Sequence, residues 1–484
     1  MVNAPSSISF LLNENIVQVQ DTPARLALDW LRRNRHLTGT KEGCKEGDCG
    51  SCTVIVGSLQ EDGSVFYQPM TSCLLPLADL NGKHLVTIEG LNLEDLSPMQ
   101  KAMVEFGGTQ CGYCTPGFIV SLTAGLLDPS MTWDRLGIQR IISGNLCRCT
   151  GYHSILRAGE QTARKLDSVL SSENRLEALC QHGVIPSYFQ DVPEILKKLS
   201  GEASSPSPKS TARGSITCLA GGTDLYVQRG AELPGEAVQF LNAETPPEPP
   251  RRQEGSIILD ARTTFETLVR DPRIRTVLPH IGHYMDLISS WPVRTRSTLG
   301  GNICNASPIA DLSLLFLALD SILVISRGAS VRELPLKQFF QGYKTLNKEP
   351  DEIVETIRFP EPGSDTFIHW EKVSKRAWLD IASVNAAGSL KVNGTQIVQA
   401  HFAMGGVAPI PLYLHQTNAF LSGRILNMDT IEEAWEVAAT EIAPLSDVRG
   451  SREYKATLAR HLFFAHFQEW FPEIFGEEVL HAAL

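Results

Sequence analysis

The chain has 484 residues, of which 43% are hydrophobic and 20% charged, and its formal net charge is −11. This length exceeds one ordinary hydrophobic core and predicts three or four domains. The negative charge disfavours nucleic acid and anionic membranes as partners, because both bind basic surfaces.

No segment predicts a membrane span, since the most apolar run, 312–325, is too short and contains Asp320. The first 20 residues lack a charged segment followed by an apolar one, so we expect no export signal. Eleven cysteines in a chain that is not exported indicate reduced thiols that bind metal, in the cytoplasm.

Residues 7–90 predict a small β-rich domain with one helix. Strands are expected at 7–10, 16–19, 52–56, 65–67 and 84–87, and a helix at 23–33 with Asp21 and Thr22 available as caps. The loop between helix and third strand contains Gly43, Gly47 and Gly50. Glycine permits positive φ, so this loop can curl and direct N–H groups at sulfur atoms.

The first set of four cysteines lies in this domain. Cys44, Cys49, Cys52 and Cys73 follow the spacing C-x4-C-x2-C-x20-C, which is that of plant-type [2Fe–2S] proteins. The alternative is a zinc site, but zinc sites favour two C-x2-C pairs and this set has one. We therefore predict an iron–sulfur cluster here.

Residues 97–170 change to a helical period, with helices expected at 97–106, 116–127, 133–142 and 154–170. The second set, Cys111, Cys114, Cys147 and Cys149, lies before the second and fourth of these helices. Its spacing, C-x2-C-x32-C-x-C, is unusual for zinc because a one-residue gap crowds a tetrahedral centre. A small helical bundle that holds a second cluster is therefore expected.

The remaining residues predict a linker, two loops and two α+β regions. Segment 180–199 is predicted to be a linker that leads into the next folded region. A flexible loop is predicted at 200–215 and a second loop at 243–255. Strands and helices alternate over 216–360, and a smaller α+β unit follows from about 366, with a strand at 398–407 and a helix near 430–443.

Two glycine pairs suggest a phosphate-binding cradle. The segment 219–225, LAGGTDL, follows a strand and precedes a helix, so backbone N–H groups could approach a pyrophosphate. Alone it is a weak signal, because it is not G-x-G-x-x-G and a plain turn explains it equally well. The segment 297–311, STLGGNICNASPIAD, adds a second Gly-Gly turn that ends in an acid and could surround a cofactor's phosphates and ribose.

The segments LTGTKEGCKEGDCGSCTV, TSCLLPL, TQCGYCTPGF and NLCRCTGYHSI resemble the iron–sulfur domains of the molybdenum hydroxylases, the xanthine dehydrogenase and aldehyde oxidase family. The glycine segments resemble the same family's FAD domain, which is of the vanillyl-alcohol-oxidase type. The resemblance implies a multidomain α+β protein with five parts. These are a β-grasp plant-type ferredoxin domain (1–92), a four-helix [2Fe–2S] domain (93–172), a linker (173–190), an FAD-binding domain (191–362) and a small α+β C-terminal flavoprotein domain (366–476).

The resemblance also implies cofactor contacts. FAD would be held by Cys218, Leu219, Ala220, Gly221, Gly222, Thr223, Asp224, Leu225, Ile288, Thr298, Gly300, Gly301, Asn302, Ser307, Asp311, Val354, Glu371 and Lys372. Gln110 and Cys149 would approach a molybdopterin that is bound to a partner subunit. The loop 371–384 matches a segment close to the NAD site, and Tyr343 an aromatic near the nicotinamide.

The implied function is that of the small iron–sulfur and flavin subunit of the bacterial xanthine dehydrogenases. Electrons from hypoxanthine or xanthine would pass from a molybdenum subunit through two [2Fe–2S] clusters to FAD and then NAD⁺, in a heterotetramer with two copies of each chain. The substrate site would lie on the partner, so no catalytic residue is expected in this chain. Three alternatives remain open: the subunit of another molybdenum hydroxylase acting on an aldehyde or N-heterocycle, a free-standing NADH:acceptor reductase, and a zinc-binding module.

The other cysteines and histidines are read as structural. Cys180, Cys218 and Cys304 are isolated and fit small buried positions. His280 and His283 lack an H-E-x-x-H motif, and His153 follows the second cysteine set without a clear partner.

Overall fold

The computed structural model describes residues 6–202, 216–242 and 245–476. They form two compact units, Met1–Pro246 with Ser289–Ser297 and Pro247–Ile288 with Thr298–Leu484. The predicted FAD domain, 191–362, contributes residues to both units. In the described ranges no helix is long and apolar enough to cross a bilayer. The predicted flexible loop lies outside these ranges from residue 203 on, as do residues 243 and 244 of the second loop.

The first unit begins with a five-stranded mixed sheet, as predicted. Its strands are β1 Ser6–Leu12, β2 Asn15–Asp21, β3 Thr53–Leu59, β4 Val65–Thr71 and β5 His84–Val86, in the order β2-β1-β5-β3-β4. The side chains of β2 alternate, and Val17 and Val19 face the core. Helix α1, Ala27–Asn34, covers this face with Trp30 and Leu31, which completes a ferredoxin-like domain.

Helix α1 begins four residues later than predicted. Asp21 pairs with Arg25 instead of capping the helix, and the N-cap is Leu26, whose side chain makes no capping bond. The residues before α1 instead bind a neighbouring segment. The amide of Ala27 donates to Leu75 O at 2.7 Å, and Leu26 forms a β-bridge with Pro76. This non-local pairing keeps Leu26 extended, so the helix starts only after it.

A helical layer follows the sheet. Its helices are α2 Pro98–Glu105, α3 Thr115–Leu127, α4 Arg135–Ile141, α5 His153–Lys165, α6 Asp167–Leu170, α7 Arg175–Gln181 and α8 Val192–Glu202. The four predicted helices are present, and Ser97 opens α2 with a capping box to Gln100. The fourth is broken at the buried Leu166, which separates α5 from α6.

The segment 173–190, predicted as a linker, is folded. It contains α7 and a 3₁₀ turn, Ser187–Gln190. Leu179 and Phe189 are fully buried in the core of the helical layer. The ring of Phe189 also lies 5.4 Å from those of Tyr67 and His84 in the ferredoxin-like sheet. This segment therefore packs the two domains together.

The first unit ends with three short elements and a helical turn. They are the parallel strands β6 Thr217–Leu219 and β7 Val238–Phe240, helix α9 Thr223–Arg229, and α13 Trp291–Arg294. Leu219, Tyr226 and Phe240 share a buried cluster with Cys52 and Cys73. The strand that precedes the first glycine pair is thus packed on the ferredoxin-like domain.

Among the described residues the second unit contains two larger sheets and the two-stranded pair β12-β13. The first has the order β11-β10-β14-β9-β8 and is packed by helices. Its elements are β8 Arg251–Gln253, β9 Ser256–Asp260, α10 Phe265–Arg270, α11 Pro272–Val277, α12 Ile281–Leu287, α14 Leu299–Asn305, α15 Asp311–Ala318, β10 Ile322–Arg327, β11 Ser330–Pro335, β12 Phe340–Gly342, β13 Thr345–Leu346 and β14 Ile353–Pro360. Strand β8 lies inside the segment predicted as the second loop, because it forms a hairpin with β9.

The C-terminal sheet has the order β15-β16-β17-β18. Its elements are β15 Thr366–Val373, β16 Val384–Asn393, β17 Gln396–Gly405, β18 Leu412–Tyr413, α16 His415–Leu421, α17 Met428–Glu441 and α18 Arg452–Trp470. Phe402 of the sheet and Phe463 and Phe467 of α18 form its core. The predicted multidomain α+β fold is confirmed.

Candidate functional site

The first cysteine set is gathered at one end of the ferredoxin-like sheet. Cys44, Cys49 and Cys52 lie on the loop between α1 and β3, and Cys73 lies in the 3₁₀ turn Ser72–Leu74. All four thiols are free, and they interact as two hydrogen-bonded pairs, Cys44 with Cys49 and Cys52 with Cys73.

Each pair holds one thiol that ionises readily. The hydrogen bond from Cys44 lowers the pKa of Cys49 to about 5, and the pKa of Cys44 is raised in return. In the same way the bond from Cys73 lowers the pKa of Cys52, while that of Cys73 rises. Metal binding requires thiolates, and in each pair the hydrogen bond favours the ionised form of one thiol.

The loop curls around the sulfur atoms as predicted, with one exception. Gly47 and Gly50 have φ of +81° and +65°, and the amide of Glu46 donates to Cys44 Sγ at 3.3 Å. The prediction of positive φ was wrong for Gly43. A larger residue would not fit at this position, because a Cβ there would lie 2.6 Å from Cys49 Sγ.

The second set is gathered at the ends of the predicted helices. Cys111 and Cys114 precede α3, and Cys147 and Cys149 lie between α4 and α5. The thiols again interact in two pairs, Cys111 with Cys149 and Cys114 with Cys147. Burial and the bond to Cys147 raise the pKa of Cys114 to about 12. The hydroxyl of Thr150 donates to Cys147 Sγ at 3.1 Å.

The pairwise arrangement of the thiols matches the ligand requirement of a [2Fe–2S] cluster. A structural zinc ion needs four ligands around one point. Among the described residues no three His, Cys, Asp or Glu side chains converge on a single metal ion. A [2Fe–2S] cluster has two irons and four cysteine ligands, two on each iron. Two hydrogen-bonded pairs of thiols in each set match that requirement.

The loops that carry the two sets contact each other. The amide of Leu146 donates to Cys49 O at 3.0 Å, and Asn145 Nδ2 donates to Gly50 O at 3.2 Å. The start of α3 closes the contact, since a Cβ at Gly117 would lie 2.3 Å from Gly50 O. Sequence reasoning missed this junction. Its one local sign is the asparagine two positions before Cys147.

One side of the second set is open to solvent. Gln110, Cys111 and Cys149 are all exposed, as is Tyr113, with 48% of its surface accessible. The first set differs, because Cys52 and Cys73 are buried. The exposed ligands include the positions that the family resemblance assigns to a partner's molybdopterin.

The first group of predicted flavin residues forms a strand, a turn and a helix. Cys218 and Leu219 end β6, Ala220 and Gly221 form the turn, and Gly222, with φ of +71°, precedes α9. The group continues into the first helical turn with Thr223, Asp224 and Leu225. Gly221 permits a close backbone approach, since a Cβ there would lie 2.0 Å from Arg296 O.

The second group lies around α14 in the second unit. Thr298 is buried and caps α14 by accepting from the amide of Gly301 at 3.2 Å. Gly300 packs on β9, where its amide donates to Ala261 O at 2.7 Å. Asn302 Oδ1 accepts from Ser313, and Ser307 Oγ accepts from the amide of Ile309. These polar groups already hold the loop 298–311 in shape.

Asp311 and Lys372 form a buried ion pair. The Nζ–Oδ2 distance is 3.0 Å, and the Lys372 side chain is 1% exposed. Lys372 also donates to Leu287 O at 2.9 Å, beside the buried Ile288, and Asn385 donates to the other Asp311 oxygen. Burial raises the pKa of Asp311.

Two further predicted contacts differ in accessibility. Val354 is buried between strands, opposite Ile325. Glu371 is partly exposed on β15, and burial raises the pKa of its carboxyl. The aromatic Tyr343, predicted near the nicotinamide, is exposed.

The cysteines read as structural are half-buried, and the histidines read as structural are exposed. Cys180 and Cys304 pack against hydrophobic cores, and Cys218 is half-buried. His280 and His283 are exposed on α12 and contact the ring of Tyr284. His153 is exposed at the first position of α5.

Comparison with known families accounts for most of the chain. A profile described as 2Fe-2S iron-sulfur cluster binding domain matches residues 11–77, and one described as [2Fe-2S] binding domain matches 87–160. The FAD binding domain in molybdopterin dehydrogenase matches 193–362, and the CO dehydrogenase flavoprotein C-terminal domain matches 371–470. The chain belongs to the molybdenum hydroxylase family. It carries that family's iron–sulfur and flavin domains, in the predicted order.

Several known proteins are similar to this chain. Xanthine dehydrogenase 1 of Arabidopsis thaliana is 28% identical over 92% of this chain, and xanthine dehydrogenase of Emericella nidulans is 26% identical over 97%. Aldehyde oxidase 4 of Rattus norvegicus is 24% identical over 96%. The chain spans 38–40% of the length of these relatives. A crystal structure of the Cu,Mo-CO dehydrogenase is 26% identical, covers 51% of this chain and 87% of that one, and has a TM-score of 0.48.

Proposed function

We propose that this chain is the electron-transfer part of a xanthine dehydrogenase. Electrons removed from hypoxanthine or xanthine at a molybdenum site on a partner chain would reach NAD⁺ through it. Bound [2Fe–2S] clusters carry single electrons and bound FAD collects two, which is the chemistry that these groups supply. The observation that carries the proposal is the order of sites along one packed unit, from the exposed second set through the first set to the glycine turn.

The protein's residues have three tasks in this scheme. Eight cysteines hold iron, and N–H and O–H donors such as the Glu46 amide and the Thr150 hydroxyl stabilise negative charge on sulfur. Asn145 and Leu146 bind the loop of the second set to that of the first. The turn 219–223 would bind an anionic phosphate group at the start of α9, and Leu219 beside it shares a buried cluster with Cys52 and Cys73.

The partner and its position are also proposals. The exposed Cys111 and Cys149 would leave a redox centre open to water, so we infer that a molybdenum-binding chain covers them and that Gln110 faces its cofactor. We infer a heterotetramer with two copies of each chain, and a cytoplasmic location because the cysteines are reduced. FAD would contact the eighteen residues from Cys218 to Lys372 named above, and the domain bounds would be those that the sequence predicts.

The test uses the purified chain and then its complex. The chain alone should be brown, oxidise NADH with an artificial acceptor such as ferricyanide, and fail to hydroxylate xanthine. Hydroxylation by the chain alone would overturn the proposal of a partner. The complex recovered with a molybdenum-containing chain should have its highest kcat/KM with xanthine or hypoxanthine.

A second candidate substrate class is an aldehyde or an N-heterocycle. The similarity to aldehyde oxidase 4 favours it, because the same domains occur in that relative. A higher kcat/KM of the complex for an aldehyde than for xanthine would replace the purine assignment and leave the electron-transfer role unchanged.

A further inference from the structure

Arg296 is a buried cation between the ferredoxin-like domain and the first glycine turn. Its side chain is 4% exposed and that of its partner, Asp79, is 9% exposed. One terminal nitrogen donates to Asp79 Oδ2 at 2.8 Å, and the other donates to Gly221 O at 2.6 Å. Nothing in the sequence marks this arginine, because its partners are 217 and 75 positions away.

The segment of Arg296 also supports the turn by direct contact. The backbone of Gly221 lies against Arg296 O so closely that only glycine fits. The next residue, Ser297, places its hydroxyl 3.1 Å from that of Thr223. The side chain and the backbone of this segment therefore both fix the position of the turn.

The other end of the ion pair, Asp79, follows the last cysteine of the first set in the chain. Asp79 lies in the 3₁₀ turn Leu77–Leu80, a few residues after Cys73. Tyr226, on the helix after the glycine turn, donates to Ala24 O at 2.9 Å and is buried in the cluster that contains Cys73. The ion pair thus lies beside the interface between the predicted flavin cradle and the first cluster.

We propose that Arg296 is a positioning residue for electron transfer between the first cluster and the flavin. Its bonds to Asp79 and Gly221 hold the turn 219–223 at a fixed distance from Cys52 and Cys73. In the physiological direction one electron leaves the reduced cluster and enters the flavin, and the transfer slows as the distance grows. This inference rests on the proposed function, since it requires FAD at that turn.

The experiment measures this single transfer in the full chain loaded with FAD. Photoreduction with 5-deazariboflavin supplies electrons without NADH, and absorbance follows their equilibration between flavin and cluster. Arg296→Gln should slow the transfer severalfold, because the rate of electron transfer falls as the two centres move apart. Asp79→Asn should act in the same direction, and Arg296→Lys, which keeps the charge, should recover part of the rate.

Arg175 offers a matched control in the same unit. It is also a partly buried arginine that donates to two backbone carbonyls, those of Asp128 and Leu170. Arg175→Gln should lower stability without slowing the transfer. An Arg296→Gln chain that transfers at the wild-type rate with saturating FAD would overturn the proposal. If that variant does not fold, wild-type transfer rates in both Asp79→Asn and Arg296→Lys would overturn it equally. A wild-type chain that binds no FAD would instead refute the proposed function, and this inference with it.

Discussion

The contact between the two cysteine loops predicts a large effect of one methyl group at Gly50. In Gly50→Ala the new Cβ would lie 2.3 Å from Gly144 O and 2.8 Å from Asn145 Cα. Both are backbone atoms, so the loops must separate. The residue also keeps φ near +65°, which alanine adopts at a cost of about 1–2 kcal/mol.

The total loss of stability also includes the cost of separating the two loops. Overpacking of this kind costs about 1–3 kcal/mol. The two hydrogen bonds at the contact, from Leu146 to Cys49 and from Asn145 to Gly50, add about 0.5–1.5 kcal/mol each if they are lost. Gly82→Ala is the control, because Gly82 has φ of +71° with no atom within 4 Å of the added Cβ.

The assay is loss of the visible cluster absorbance in a urea titration, together with the rate of electron equilibration between the clusters. Gly50→Ala should lose absorbance at a urea concentration lower than Gly82→Ala by about 0.7–2 M, because a cost of about 2–6 kcal/mol is divided by a slope of about 3 kcal/mol per M. It should also slow equilibration, whereas Gly82→Ala should not. Equal behaviour of the two variants would refute the account of the junction.

Three further substitutions test individual sites. Cys111→Ser should remove the electron paramagnetic resonance (EPR) signal of one [2Fe–2S] cluster and keep the other, whereas Cys180→Ser should keep both. His84→Gln should flatten the loss of stability between about pH 6.5 and pH 3, measured by thermal unfolding at each pH. Burial lowers the pKa of His84 to about 3, below its usual value of about 6.5, so the unfolded state binds the proton first and acid favours unfolding. Lys372→Met should cost about 3–5 kcal/mol in chemical unfolding, because it leaves the buried Asp311 carboxylate without its cation.

Each has an outcome that would contradict it. Loss of both signals in the cysteine variant would mean that the two clusters do not form independently. If His84→Gln lost stability below about pH 6.5 as steeply as the wild type, His84 would already be protonated in the folded protein. Full stability of the lysine variant, without any gain on adding Asp311→Asn, would mean that the ion pair contributes nothing.

Most of the fold could be predicted from local sequence patterns. The strands and helices around the cysteines follow from alternation and helical period, and the eight cysteines could be assigned to two sets from spacing alone. The start of α1 could not be predicted, because its position depends on a pairing of Leu26 with Pro76 that is fixed only in the folded chain. The folded state of 173–190 was missed for a similar reason, since Phe189 is buried against Tyr67, more than a hundred positions away.

The sites show the same division between local and long-range information. Spacing predicts four thiols per set but not which two form a pair, which depends on how the loop 44–52 folds back on Cys73. The junction of Gly50 with Asn145 and the ion pair of Arg296 with Asp79 join distant parts of the chain. No local sequence pattern predicts such pairs, because neither partner lies in a recognisable motif.

The central claim is that this chain binds two [2Fe–2S] clusters and a flavin that exchange electrons. The most direct measurement is a reductive titration of the purified, reconstituted chain, followed by EPR and visible absorbance, with iron, sulfide and flavin counted. We predict four irons and one flavin per chain and two distinct [2Fe–2S] signals, with electrons shared among the three centres. A colourless chain with stoichiometric zinc, or a single cluster signal with all eight cysteines intact, would contradict the claim.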